Sequence, residues 1–141
     1  MQRGRRIAFD YGDVRIGVAI CDLDGILASP LVTLSTSDQG ISGQISKILA
    51  EYEPIFIYVG KPLNMDSSDG ASAQKARVFC ELLESLSDKP VVMIDERLST
   101  ISAARNMRES GVRAKDSKNR IDQAAAVAIL EFALAIERNR K

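Results

Sequence analysis

The chain has 141 residues, enough for one domain with a real core, and its 45% hydrophobic and 27% charged content is that of an ordinary soluble globular protein. Nineteen basic residues balance nineteen acidic ones, so any case for nucleic-acid binding must rest on local clustering. There is no histidine, which removes Ser-His-Asp triads, histidine general bases and histidine metal ligands together.

Cys21 and Cys80 are too few for a zinc site and read as buried free thiols of a reducing compartment. The basic start, Met1 to Arg6, lacks the apolar core of a signal peptide. The longest apolar run, Ala124 to Leu130, is too short to span a membrane. The expectation is a cytoplasmic protein with no membrane partner.

Arg6 to Asp10 reads as a strand with its acid at the carboxyl end, and Tyr11-Gly12-Asp13 as a turn. Val14 to Cys21 is a second strand, making a hairpin. Asp22 to Gly25 is another turn, and a short third strand is expected over about 31–34, behind Pro30. Ser37 or Asp38 can cap a helix running to Tyr52, with Ile41, Ile45, Ile48 and Leu49 at helical spacing. Ile55 to Val59 is a strand, followed by a polar loop from Lys61 to Gly70. Ala73, Ala76, Phe79, Cys80, Leu83 and Leu86 form the stripe of the next helix. Val91 to Ile94 is a buried strand. A helix over about 100–108 follows, then a polar loop to Lys118 and a last helix over about 119–138. The order β-β-β-α-β-α-β-α-α predicts an α/β fold, a single mixed sheet with helices on both faces.

The chemistry gathers around Asp95-Glu96-Arg97-Leu98-Ser99-Thr100. Glu96 stands where a strand ends and a helix begins, and open α/β sheets bind ligands beyond the carboxyl ends of their strands. An ordinary polar loop is the competing reading. Asp10 ends the first strand; if the two strands are parallel, both acids emerge at one sheet edge. Asp122 shares a helix face with Ala125, Ala126, Ile129, Leu130 and Ala133, a core-facing stripe where a lone carboxylate is costly. Its alternative role is to stabilise the helix start through the dipole. Three converging acids without histidine suit hard cations such as Mg²⁺ or Mn²⁺, which support phosphoryl chemistry. Alternation should turn Asp95 to the other face.

From Arg97 to Arg120, seven basic residues stand against Glu109 and Asp116, a local charge of +5. Arg97, Lys115, Lys118 and Arg120 are candidate nucleic-acid contacts; a solvated face is the bland alternative. Arg3, Arg5 and Arg6 add basic charge at the other end of the chain. Lys61 and Asn64, in the loop after Val59-Gly60, could contact phosphate. Gly12 to Gly17 has the spacing of a phosphate loop, but Val18-Ala19 replace Lys-Ser/Thr, so a P-loop is rejected.

These residues together make the chain resemble the YqgF family, the Holliday junction resolvase and pre-16S rRNA nuclease group of the RNase H-like superfamily. The resemblance rests on Phe9-Asp10-Tyr11-Gly12 with Arg15-Ile16-Gly17-Val18-Ala19, and on Ala28-Ser29-Pro30-Leu31. It continues in Val59-Gly60 with Pro62-Leu63-Asn64-Met65-Asp66 and Gly70, in Asp95 to Thr100, and in Ile121-Asp122-Gln123-Ala124-Ala125 with Ile129-Leu130. It implies one RNase H-like domain over 1–141, with a five-stranded sheet whose second strand is antiparallel to the others. It further implies metal-dependent phosphodiester hydrolysis, with Asp10, Glu96 and Asp122 as catalytic and metal-binding acids. Lys61 departs from the family pattern, which more often has an apolar residue there.

The leading expectation is an endonuclease using Mg²⁺ or Mn²⁺ on structured nucleic acid, with pre-16S rRNA ends and ribosomal precursor particles favoured over DNA four-way junctions. One alternative is an actin-like or sugar-kinase-like ATPase, which the length disfavours because that fold needs two such domains. Another is a non-catalytic ribosome-assembly or nucleic-acid-binding factor.

Overall fold

The computed structural model describes residues 1–61, 71–95 and 115–139, with side chains for 1–60, 74–95 and 123–139. Its elements are β1 (Arg6–Tyr11), β2 (Arg15–Cys21), β3 (Ala28–Ser35), α1 (Ile41–Tyr52), β4 (Phe56–Lys61), α2 (Ala71–Leu86), β5 (Val91–Asp95) and α3 (Lys115–Asn139). The five strands form one sheet in the order β3-β2-β1-β4-β5. β2 runs antiparallel to β1 and β3, while β4 runs parallel to β1 and β5. Only β2 is reversed, as the resemblance implies. The helix expected over about 100–108 lies outside the described residues.

Strand alternation builds two cores. Ile7, Phe9, Ile16, Val18, Ile57 and Val59 pack on one face with Ile45 and Leu49 of α1 and Phe79, Cys80 and Leu83 of α2. Ala8, Ala19, Cys21, Tyr58 and Ile94 take the other face, under Ala126, Ile129, Leu130, Ala133 and Leu134 of α3. Each fully buried isoleucine or phenylalanine stabilises by about 1.5–3 kcal/mol relative to exposure. Small residues on both sides of the second core let α3 lie close to the sheet. All five positions of the stripe that begins at Asp122 are buried.

Three boundaries differ most from the sequence reading, while β1 extends to Tyr11 and β4 to Lys61. β3 is longer than expected and contains Pro30, which pairs with Ala19 beside a register shift at Val18/Ala19. A proline has no N–H to give the ladder, and an edge strand at a bulge does not need it. α1 starts after Gly40 with no side-chain cap. Asp38 instead accepts the Gly40 N–H at 2.7 Å and the Gln44 side-chain amide at 3.2 Å. α3 begins at Lys115, so Lys115 and Lys118 lie on the helix and not on a loop. Lys115 to Arg120 lacks both glycine and proline, and nothing local stops the helix from reaching back.

Arg6 corrects a further expectation. It is fully buried at the start of β1 and is no part of a basic surface. Its guanidinium donates to Glu137 at 2.7 Å and to the carbonyls of Gly4 and Gln2 at 2.6 Å each. Tyr58 donates its hydroxyl to the other Glu137 oxygen at 2.5 Å. The network ties β1, β4 and the last turns of α3 together.

Gly12 makes the β1–β2 turn possible. A Cβ there would sit 2.6 Å from the Arg15 carbonyl oxygen, a backbone atom. Thr36 pins the turn by donating its hydroxyl to the Gly12 carbonyl at 2.7 Å. Gly12→Ala should therefore cost about 1–3 kcal/mol, read as a lowered urea midpoint; an unchanged midpoint would show that the turn relaxes freely.

Candidate active site

Asp10 is the buried carboxylate of the sheet, 6% exposed, at the carboxyl end of the central strand. Its neighbours in β1 alternate between the two cores, and Asp10 shares the face of Ala8, toward α3. Gly17 stands opposite it on β2, and Thr33 stands opposite Gly17 on β3. One residue beyond the Phe9–Val59 pair, Asp10 comes level with Gly60, which pairs with Ile94. A single row thus crosses the sheet at Thr33, Gly17, Asp10, Gly60 and Ile94.

The amino-terminal part of α3 comes down on this row. Gln123 donates its side-chain amide to the Thr33 hydroxyl at 3.0 Å. The preceding residue, Asp122, lies about two turns inside the helix that starts at Lys115. Dipole and capping effects fade within the first turn, so the helix-start role weighed for Asp122 loses its basis. The Gln123–Thr33 clamp had no signal in the sequence, because its partners lie 90 residues apart.

The parallel run of β1, β4 and β5 brings the ends of all three strands to this edge. Ile94 points into the α3-side core while Met93 packs on the other, as alternation requires. Asp95, one residue past Ile94, ends β5 and lines a pocket with Phe132, Ala133 and Glu137 of α3, so alternation alone does not turn it away from that helix. Glu96, Asn64 and Arg97 lie outside the described residues. Lys61 ends β4, paired with Asp95. Lys115, Lys118, Arg120 and Asp122 are placed by the α3 backbone alone. Among the described residues no three carboxylate or thiol side chains gather into a metal site.

The two thiols take no part. Both are free and buried. Burial pushes Cys80 up to about 11, with Glu84 and Glu81 adding to the rise. Burial also raises Cys21, partly offset by the Arg6 backbone N–H it accepts. At pH 8 about 0.1% of Cys80 would be thiolate. Native protein should resist iodoacetamide at pH 8, whereas denatured protein should take up two equivalents; rapid native labelling would refute this burial. Among the described residues no helix is long and apolar enough to cross a membrane.

Known proteins similar to this chain identify its family and fold. Residues 4–136 match the RuvX family, described as Holliday junction resolvase. A Streptomyces coelicolor protein named "Putative pre-16S rRNA nuclease" is 46% identical over 98% of this chain and 84% of its own length. A Rhodococcus opacus protein of the same name is 49% identical over 92% of this chain and 76% of its own. Among solved structures, Thermus thermophilus RuvC in complex with a Holliday junction substrate overlays with a TM-score of 0.63. It has 17% identity and the match covers 96% of both chains. That likeness fixes the fold as RNase H-like. With this fold and a match along nearly its whole length, the chain belongs to the RuvX family of Holliday junction resolvases.

Proposed function

We propose that residues 1–141 form one nuclease domain, a metal-dependent endonuclease that cuts structured nucleic acid, with pre-16S rRNA ends as its substrate. The observation that carries this is the convergence at one sheet edge. Buried Asp10 stands one residue before the end of the central strand, β5 ends one residue before Glu96, and Asp122 directly precedes Gln123, whose side-chain amide reaches Thr33 on the Asp10 row. The name shared by the close relatives favours RNA over a DNA junction.

An all-carboxylate donor set in a chain without histidine fits Mg²⁺ or Mn²⁺, and Asp10, Glu96 and Asp122 are the residues that would hold the ion. When bound, such an ion supplies Lewis acidity and an activated water for phosphodiester hydrolysis. The chain's own part is to fix Asp10 on the central strand and Asp122 on α3. Arg97, Lys61, Asn64, Lys115, Lys118 and Arg120 complete the reading as phosphate contacts beside the acids. Cytoplasmic action on ribosomal precursor particles follows from that substrate.

A cleavage assay on a pre-16S rRNA fragment and a DNA four-way junction, with and without Mn²⁺, tests the reading. RNA should be cut only with metal and the junction left intact. Cutting of the junction alone would overturn the RNA assignment, and no cutting of either would overturn the enzyme. Melting curves test Asp122 independently. Metal should stabilise the wild type by about 2.7 kcal/mol at a hundredfold excess over Kd. Asp122→Asn removes mutual repulsion among the acids, so without metal it should melt at or above the wild type and should lose most of the Mn²⁺ shift. A retained shift would remove Asp122 from the ligand set.

A further inference from the structure

Beside Asp10, on the opposite face of β1, the sheet edge carries a second feature. Tyr11, Ile16, Thr36, Ile41, Lys75, Val78, Phe79 and Leu82 enclose a cleft of about 160 Å³. Its apolar walls come from β1, β2, α1 and α2, and the Tyr11 ring leans on Phe79 at 5.1 Å between centroids. Val78 is 57% exposed although it is apolar, because it stands on this opening. Lys75 lies among the cleft residues and pairs with Asp13 at 3.2 Å, with both side chains more than half exposed. Such a surface pair is weak and yields to a competing ligand.

We propose that this cleft is a subsite for one unpaired nucleobase of the substrate strand. Its volume lies below the roughly 300 Å³ at which ordinary cofactor pockets begin, so it takes a single flat ring and not a whole nucleotide. An aromatic ring and aliphatic walls give a base the stacking surface that single-strand binders use. The Lys75–Asp13 pair offers a donor and an acceptor to the polar edge of that base, a combination an aliphatic ligand would not need. Position supplies the last argument: the cleft opens at the same carboxyl-end edge of the sheet as Asp10, on the other face, so a strand that rounds this edge from a phosphate over Asp10 brings a nearby base to the mouth of the cleft. The inference rests on the nuclease reading for the kind of ligand. It narrows the substrate to nucleic acid with an unpaired nucleotide near the scissile bond.

The test is a binding measurement in EDTA, so that it does not depend on cleavage or on metal. The probes are a fluorescein-labelled RNA hairpin with a five-nucleotide single-stranded overhang and the same hairpin with an abasic overhang. Wild-type protein should bind the base-bearing overhang roughly tenfold more tightly than the abasic one. Tyr11→Leu should lose that difference and keep the affinity for the abasic probe, and Tyr11→Phe should restore it. Val78→Met, at an exposed helix position, should narrow the cleft and reduce the difference without touching the core. Equal binding of the two probes by the wild type would overturn the subsite, as would an undiminished difference in both Tyr11→Leu and Val78→Met, or no binding of either probe. Failure of cleavage with base discrimination intact would overturn the nuclease reading alone.

Discussion

Asp10→Asn should lower cleavage by at least about a thousandfold while leaving the protein folded. If Asp10 holds the metal as proposed, its loss removes several kcal/mol of transition-state stabilisation, and about 4 kcal/mol is three orders of magnitude in rate. The fold should tolerate the change for a geometric reason. Asp10 is the fifth residue of a six-residue strand, and the core contacts of β1 come from Ile7, Ala8 and Phe9. Asparagine keeps the shape and can still hydrogen-bond. The melting temperature in EDTA should not fall, because the proposed site would lose a source of repulsion among its acids. Two measurements decide it: single-turnover cleavage in Mn²⁺ and a circular-dichroism melt. Unchanged cleavage would remove Asp10 from catalysis. A collapse of the melt would make it a structural residue.

Glu137→Leu should have the largest effect on stability, a loss of about 3–5 kcal/mol. The change leaves the Arg6 guanidinium buried without its carboxylate, and the cost of an uncompensated buried charge exceeds the value of the contact itself. Arg6 is wholly inaccessible and Glu137 only 11% exposed, so water cannot replace the partner. Tyr58 would lose its acceptor in the same step. The melting temperature should fall by roughly 10–20 °C. Arg6→Met added to Glu137→Leu should recover most of the loss, because two apolar residues remove the orphaned charge. A double variant no more stable than Glu137→Leu alone would show that the Arg6 bonds to the Gly4 and Gln2 carbonyls carry the stability instead. Cleavage measured well below the melting temperature should be unchanged in both variants. The network lies at the opposite end of β1 from Asp10, about 13 Å away along the strand.

The residues behind these two experiments were not equally visible in the amino-acid order. Asp10 was, because a β-strand announces itself within five residues and an acid at its carboxyl end marks the edge where ligands bind. The stripes of α2 and α3 were visible for the same local reason. Each spans only a few turns, and burial at Ala76, Phe79, Cys80 and Leu83, and from Ala125 to Ala133, follows the helical period. The start of α3 was not: Lys115 to Arg120 are all polar or charged, which leaves no apolar period to read. Pro30 suggested that β3 begins after it, since the proline's missing N–H counts against a strand unless the strand is known to be an edge.

Arg6 is the sharpest case. In sequence it is the third arginine of a basic start, indistinguishable from Arg3, which is exposed and pairs with Asp24 at the surface. Its burial depends on Glu137, 131 residues away, and on Tyr58 from a third element. No local pattern encodes a partner at that distance. The sequence by itself determined the strands, the helical stripes and the acid near the carboxyl end of β1. Only the tertiary structure decided that β1, β4 and β5 run parallel and that α3 crosses the Asp10 row at Gln123. It also decided that one arginine belongs to the core. Those outcomes follow from pairing between segments far apart in the chain, where burial and charge compensation, and not local periodicity, select the arrangement.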